Sequence, residues 1–271
     1  MKRLVLCADD FALNGAVSQG IAGLAAQGRL SATSVMVLSP RWPQDVALLQ
    51  PLRGQIDVGL HLDWTSDFAL EAGHGRPLGA LMARAALGRL APAAVRVQIE
   101  RQLDAFEAQW KAPPDHIDGH QHVQQFRGLR EALVAAVQRR YPQQTPWLRV
   151  SCAPPGQRDL KARTIAAWGA AALVRLADRA GIPHAAWLSG IYDFAGGGAA
   201  YARHMARWLA EVPEGTVLMC HPAAGDGGGD AIGPARAWEG AYLGSAAFGA
   251  LLAAQAVQPV RGQALFAPIS V

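Results

Sequence analysis

Residues 1–28, MKRLVLCADDFALNGAVSQGIAGLAAQG, carry two periodicities in one short stretch. Leu4–Ala8 is an unbroken apolar run of strand length, the pattern of a strand buried on both faces of a parallel sheet. Ala16–Gln27 follows with helical spacing and stops at Gly28, a natural C-terminal cap. Between the two stand Asp9 and Asp10. A buried strand cannot end on two unpaired carboxylates, because an isolated buried charge is very costly. A metal ion, a substrate hydroxyl or a helix N-terminus would each receive them.

The same strand-then-helix unit recurs along the chain. Thr33–Leu38, Asp57–Leu62, His116–Val123, Trp147–Val150, Ala186–Tyr192 and Thr216–Cys220 read as further strands, with Ala264–Pro268 as a last one. Gln44–Leu52, Pro92–Trp110, Gly128–Arg140, Leu160–Ala180, Tyr201–Glu211 and Ala246–Gln255 read as helices. Seven or eight such units predict an α/β fold with a mainly parallel sheet, either an open doubly wound sheet or a barrel. No repeat and no long linker divides the chain, so one domain over residues 1–271 is expected. The loop 68–79 and the glycine clusters 196–198 and 225–229 read as rims of that domain. Neither cluster has the spacing of a phosphate-binding loop.

Composition narrows the function classes. The 51% hydrophobic content of the 271 residues excludes global disorder. A net charge of +4 without any basic run argues against a nucleic-acid partner. Cys7, Cys152 and Cys220 are odd in number and far apart, which suggests reduced thiols. The apolar part of the start, Leu4–Ala8, is shorter than a secretory signal needs. Ile165–Leu173, the longest mostly apolar stretch, is about half a membrane span. A cytoplasmic protein with no membrane span is expected, with a homodimer as the default oligomer.

The chemistry-bearing residues sit where strands end. Asp9 and Asp10 follow the first strand, His61 lies in DVGLHLDWT, Asp118, His120 and His122 lie in IDGHQHV, and His221 ends TVLMCHP. Strands of a parallel α/β fold share one C-terminal face, and the site lies there. If Ile117–Val123 is extended, Asp118, His120 and His122 point the same way. Asp10 and His61 with one or two of these histidines would make an Asp/His/His set with open positions, the pattern of a catalytic metal site. Each residue alone has a plainer reading. Either carboxylate could cap the helix that follows, His61 could be a hydrogen-bonded core histidine, and His221 could simply end its strand. Cys220 is adjacent to His221 and would face the opposite side, so no nucleophilic pair is expected. His74, His184 and His204 read as loop or helix residues, and neither they nor His116, at the start of its strand, are given a role. Trp64 and Trp238 could stack on a sugar face, although core packing is the ordinary fate of tryptophan.

ADDF, GLHLDWT, IDGHQHV and LMCHP, in this order, resemble the YdjC-like carbohydrate deacetylases, also called the ChbG/HpnK group. The resemblance runs from Arg3 to about Leu243 and includes Arg236–Leu243, RAWEGAYL, which looks like the family's Arg-x-x-Glu stretch. It implies a deformed (β/α) barrel that removes N-acetyl groups from an amino sugar or short oligosaccharide with one divalent metal ion. By the same resemblance Asp10, His61 and His122 are metal ligands, Asp9 is the general base and His221 the general acid. His120, Asp118, Trp64 and Arg236 are further ligand or substrate-binding candidates. The chain departs from the family at Ala12 for the usual Gly, at Ala223 in His-Pro-Ala for His-Pro-Gly, and at Gln124 where a third His is usual. The last departure is expected to bear on the substrate pocket. The family is associated with magnesium, whereas imidazole ligands suit zinc, iron, nickel or cobalt better. Two competitors remain: another metal hydrolase on this scaffold, such as an amidase or phosphoesterase, and a non-catalytic carbohydrate-binding protein. The second would have lost a ligand or the base, and Asp9, Asp10, His61, His122 and His221 are all present.

Overall fold

The computed structural model describes residues 1–266. Among the described residues nine strands form one wholly parallel sheet. They are β1 (Lys2–Phe11), β2 (Ala32–Val35), β3 (Asp57–Leu62), β4 (His116–Gly119), β5 (Trp147–Arg149), β6 (His184–Ala185), β7 (Leu188–Ser189), β8 (Val217–Cys220) and β9 (Val257–Pro259). Eight follow the order β6-β5-β4-β3-β2-β1-β8-β7, and β9 pairs with the start of β1. The two ends of that path, β6 and β7, are three Cα steps apart in the chain. Three steps span at most about 11 Å. The sheet is therefore curled until its edges nearly meet, a deformed (β/α) barrel.

Alternation along β1 sets the two sides of the wall. Leu4, Leu6 and Ala8 belong to the large cluster between sheet and helices. Val5 and Cys7 belong to a small cluster with Ala32, Trp147, Ala185, Leu188, Val217 and Met219. That cluster fills the barrel interior. Trp147 plugs the interior, stacked on the His116 ring at 4.4 Å and donating its Nε1–H to Asp57 Oδ2 at 3.0 Å. The helices carry the outer layer. The longest, Pro92–Trp110, starts with Pro in its first turn and ends at Lys111 in a left-handed conformation.

Several expectations need correction. Strand β4 ends at Gly119 instead of Val123, and residues 120–125 form a tight turn with Gln121 and His122 left-handed. The predicted helix 160–180 is two helices, Leu160–Ala167 and Ala170–Ala180. They break at Gly169, where φ is +136° and a Cβ would collide with the Gln125 carbonyl. The expected strand 186–192 shrinks to the two-residue β7. The loop 68–79 contains most of the helix Asp67–Glu71 and the start of Leu78–Ala86. Residues 264–266 are helical, within Gln263–Phe266, and 267–268 lie outside the described residues. Sequence missed two strands: β6, only two residues long, and β9, which contains Pro259 and sits at the edge of the pairing, where proline is tolerated. His116 and His184 lie in strands β4 and β6.

Candidate metal centre and active site

Two adjacent strand residues normally face opposite sides, yet both Asp9 and Asp10 line one cavity. The reason is a bulge. Ala8 pairs with Thr33 and Phe11 with Val35, so three steps on β1 match two on β2. Asp10 and Ala12 take left-handed conformations at φ 68° and 73°. Asp9 continues the inward row of Val5 and Cys7, and the bulge turns Asp10 inward as well. A non-glycine residue held there costs on the order of 1–3 kcal/mol, a strain that collects at functional sites.

Three groups meet above Asp10. Its Oδ1 lies 3.3 Å from His61 Nε2 and 3.1 Å from His120 Nδ1. These three atoms lie within 4.8 Å of one another. Arg236 donates to the other oxygen, Oδ2, at 2.7 Å and to Asp230 at 2.8 Å. Burial pushes the Asp10 carboxyl up, but Arg236 and the two histidines outweigh it and hold it well below the usual range. His61 is set from behind. Its Nδ1 donates to Asp118 Oδ1 at 2.7 Å, which leaves Nε2 for the cavity. Such a carboxylate behind an imidazole is the usual way a metal-binding histidine is oriented. Burial pushes the His61 pKa down, but Asp118, Asp10 and Asp9 raise it to about 10. One carboxylate oxygen and two imidazole nitrogens, open to a cavity, fit a divalent transition ion. Asp9, His61 and Asp118 also cluster, as do Cys7, His116 and Asp118. In both, the Arg149 guanidinium stands 2.9 Å from Asp118 Oδ2, and its positive charge opposes a second cation there.

Asp9 is held differently. Arg149 grips both its oxygens, at 2.6 and 2.8 Å. Burial pushes the Asp9 carboxyl up, and Arg149 and His61 pull it down further, so it is ionised at neutral pH. His221 Nε2 stands 3.9 Å from Asp9 Oδ2. The His221 backbone N–H donates to Glu239 at 2.6 Å, and Tyr192 OH donates to the other oxygen of Glu239 at 2.6 Å. The Phe194 ring meets His221 edge-on at 5.2 Å.

The expected site residues thus divide. Asp9, Asp10, His61, His120, His122, Arg236 and His221 all line one cavity of about 710 Å³. His122, favoured by the family resemblance as the third ligand, is not in the Asp10–His61 group. Its Nδ1 is 2.9 Å from Ser151 Oγ, and burial and Arg149 push its pKa down to about 3. His120 takes the place expected of it because the chain turns at Gly119 instead of running straight. Asp118 is fully buried behind His61 and does not line the cavity. Trp64 is also buried, meets His74 edge-on at 5.6 Å, and does not line the cavity. Phe68, Tyr192 and Phe194 do. Gln124 lies behind the site and does not line the cavity. Sequence reasoning missed Arg149 and left Glu239, the Glu of the Arg-x-x-Glu stretch, without a role. Both carried a signal: each is a charged residue inside an otherwise apolar segment, WLRV and AWEGAYL, and such a charge needs a buried partner.

The model of the family described as YdjC-like protein matches residues 3–254. The chain belongs to the YdjC-like family. A relative from Serratia marcescens, named chitooligosaccharide deacetylase, is 28% identical over 239 residues, 82% of each chain. A Mus musculus relative named carbohydrate deacetylase is 30% identical over 148 residues, 50% of this chain and 47% of that one. A solved structure from Enterococcus faecalis, described as a candidate cellobiose-phosphate cleavage protein, aligns with a TM-score of 0.71 at 19% identity. It covers 98% of this chain and 99% of that one, and shows the same fold. The ADDF and HQH segments sit in this chain on a β1 bulge and on the turn after β4. No helix among the described residues is long and apolar enough to cross a membrane.

Proposed function

We propose that this protein is a metal-dependent carbohydrate deacetylase that hydrolyses the N-acetyl group of an amino sugar or short oligosaccharide. The observation that carries the reading is the division of the cavity floor. Asp10, His61 and His120 converge on one side, and Asp9 with His221 stands beside them. The names of the family relatives and the YdjC-like match support the substrate class. The cavity volume falls within the roughly 300–1,000 Å³ range of small-molecule sites.

Asp10, His61 and His120 would hold the divalent ion. When bound, such an ion polarises the acetyl carbonyl and lowers the pKa of water. Asp9, ionised and held rigid by Arg149, accepts the proton of the attacking water. Its short reach and two-point grip fix where that water stands, which is the entropic part of the rate. His221 Nε2 faces the same space and gives a proton to the departing sugar amine. Glu239 holds the backbone of His221, and the Phe194 ring packs against its imidazole at a near-right angle. Leu13, Phe68, Leu78, Ile165, Ile191 and Ile232 wall the cavity and limit water around the reacting amide.

The test is acetate release from N-acetylglucosamine oligomers by purified protein, with and without chelator, beside elemental analysis. About one metal ion per chain and chelator-sensitive acetate release are expected. Metal without acetate release would discard the substrate class, and neither metal nor activity after adding back divalent ions would overturn the proposal.

A further inference from the structure

Residues 120–125 pose a problem of their own. Gln121 and His122 are consecutive non-glycine residues in the left-handed region, at φ 53° and 63°. Such a turn does not hold itself. The chain folds back so closely that a Cβ on Gly119 would lie 2.9 Å from the Gln124 nitrogen. What holds the turn is a buried set of amides just after it. Gln124 and Gln125 are both fully buried. Gln124 Nε2 donates to the Arg149 carbonyl at 3.0 Å and to Ser151 Oγ at 3.2 Å. Gln125 Oε1 accepts from the Ser151 N–H at 3.2 Å, and its Nε2 donates to the Ile165 carbonyl at 2.6 Å. Ser151 Oγ is in turn 2.9 Å from His122 Nδ1.

One of these bonds joins the two halves of the site. The Arg149 carbonyl that receives Gln124 belongs to the residue whose guanidinium grips Asp9. From these contacts we infer that Gln124 is a positioning residue: it sets the turn that places His120 against Asp10 and His61, and fastens that turn to the strand that clamps Asp9. This rests on the proposed metal-binding role of His120. It also changes the meaning of Gln124 at a position where the family resemblance expects histidine. Gln124 does not touch the cavity, so its effect is on the geometry of the ligands and not on recognition of the sugar.

The experiment is a calorimetric titration of Zn²⁺ into chelator-stripped protein, for the wild type and Gln124→Met, with Tm measured in parallel. Methionine keeps the shape and removes both donors. The variant should bind Zn²⁺ about 10-fold more weakly, the low end of what losing a direct partner of a metal ligand costs, because Gln124 acts one step further back, while its fold is retained. A Zn²⁺ Kd within twofold of wild type, with only Tm lowered, would overturn the inference and leave the site reading intact. A wild type that binds no Zn²⁺, Mg²⁺ or Co²⁺ would instead overturn the site reading, and the inference with it. Should Gln124→Met not fold, Ser151→Ala removes one of the two acceptors and carries the same test. A weakening of threefold or more supports the inference, and an unchanged Kd contradicts it.

Discussion

Asp9 and Asp10 are neighbours in the chain, equally buried, and each is met by a buried arginine. The two arginines meet them differently. Arg149 takes both oxygens of Asp9, whereas Arg236 takes one oxygen of Asp10 and leaves Oδ1 to two imidazoles. The first arrangement fixes a carboxylate in place, which suits the proposed base. The second leaves one oxygen facing two imidazoles, which suits the proposed metal ligand. The bulge in β1 lets both carboxylates face the same cavity.

The largest expected effect breaks the pair apart at the level of catalysis. Asp10→Asn and Asp9→Asn should each lower acetate release by roughly 10²–10⁴-fold. Asp10→Asn should recover in part as the metal concentration is raised, and Asp9→Asn should not. Recovery of both, or of neither, in a metal titration of the rate would mean that the two carboxylates share one role.

Next comes stability. Arg149→Met leaves Asp9 and Asp118 buried without their cation, and removing one partner of a buried ion pair costs about 3–5 kcal/mol. Arg236→Met should cost less, because Asp230 is partly exposed and Asp10 keeps its histidines. Urea unfolding of the chelated proteins compares them. Equal losses would erase the distinction between the two arginines.

A third comparison sharpens the metal side. His120→Ala should abolish stoichiometric Zn²⁺ binding, while His122→Ala should keep it within a few-fold, as read by equilibrium dialysis. The reverse order would restore the straight-strand reading of IDGHQHV. Asp118→Asn keeps the shape behind His61 and should weaken Zn²⁺ binding about 10- to 100-fold. The smallest effect is expected at Trp64. Trp64→Phe should leave the KM for chito-oligosaccharides within about twofold, since its ring faces His74 and not the cavity. A tenfold rise in KM would return Trp64 to the sugar site.

Much of this was legible in the sequence for a physical reason. Buried parallel strands read as unbroken apolar runs, and Leu4–Ala8, Asp57–Leu62 and Thr216–Cys220 all lie within or against observed strands. Polar residues at the ends of such runs mark the site face, which brought out Asp9, Asp10, His61 and His221. The choice between His120 and His122 was not legible, because alternation assumes a straight chain. Gly119 and two left-handed residues broke that assumption, and the contacts that hold them come from Arg149, Ser151 and Ile165, far along the sequence. Arg149 was missed because its partner is likewise distant, 140 residues away at Asp9, and Arg236, named only through the resemblance, could not be matched to Asp10, 226 residues away. Short strands such as His184–Ala185 and Leu188–Ser189 carry too few residues for any periodicity to show.

The central claim is that Asp10 is the ligand and Asp9 the base. Zn²⁺ stoichiometry of Asp9→Asn and Asp10→Asn, measured by calorimetry on chelator-stripped protein, tests it most directly. The account predicts near one ion per chain for Asp9→Asn, with acetate release lost, and binding to Asp10→Asn too weak to give a stoichiometry at the concentrations that saturate the wild type. Loss of the ion from Asp9→Asn with retention in Asp10→Asn would contradict it.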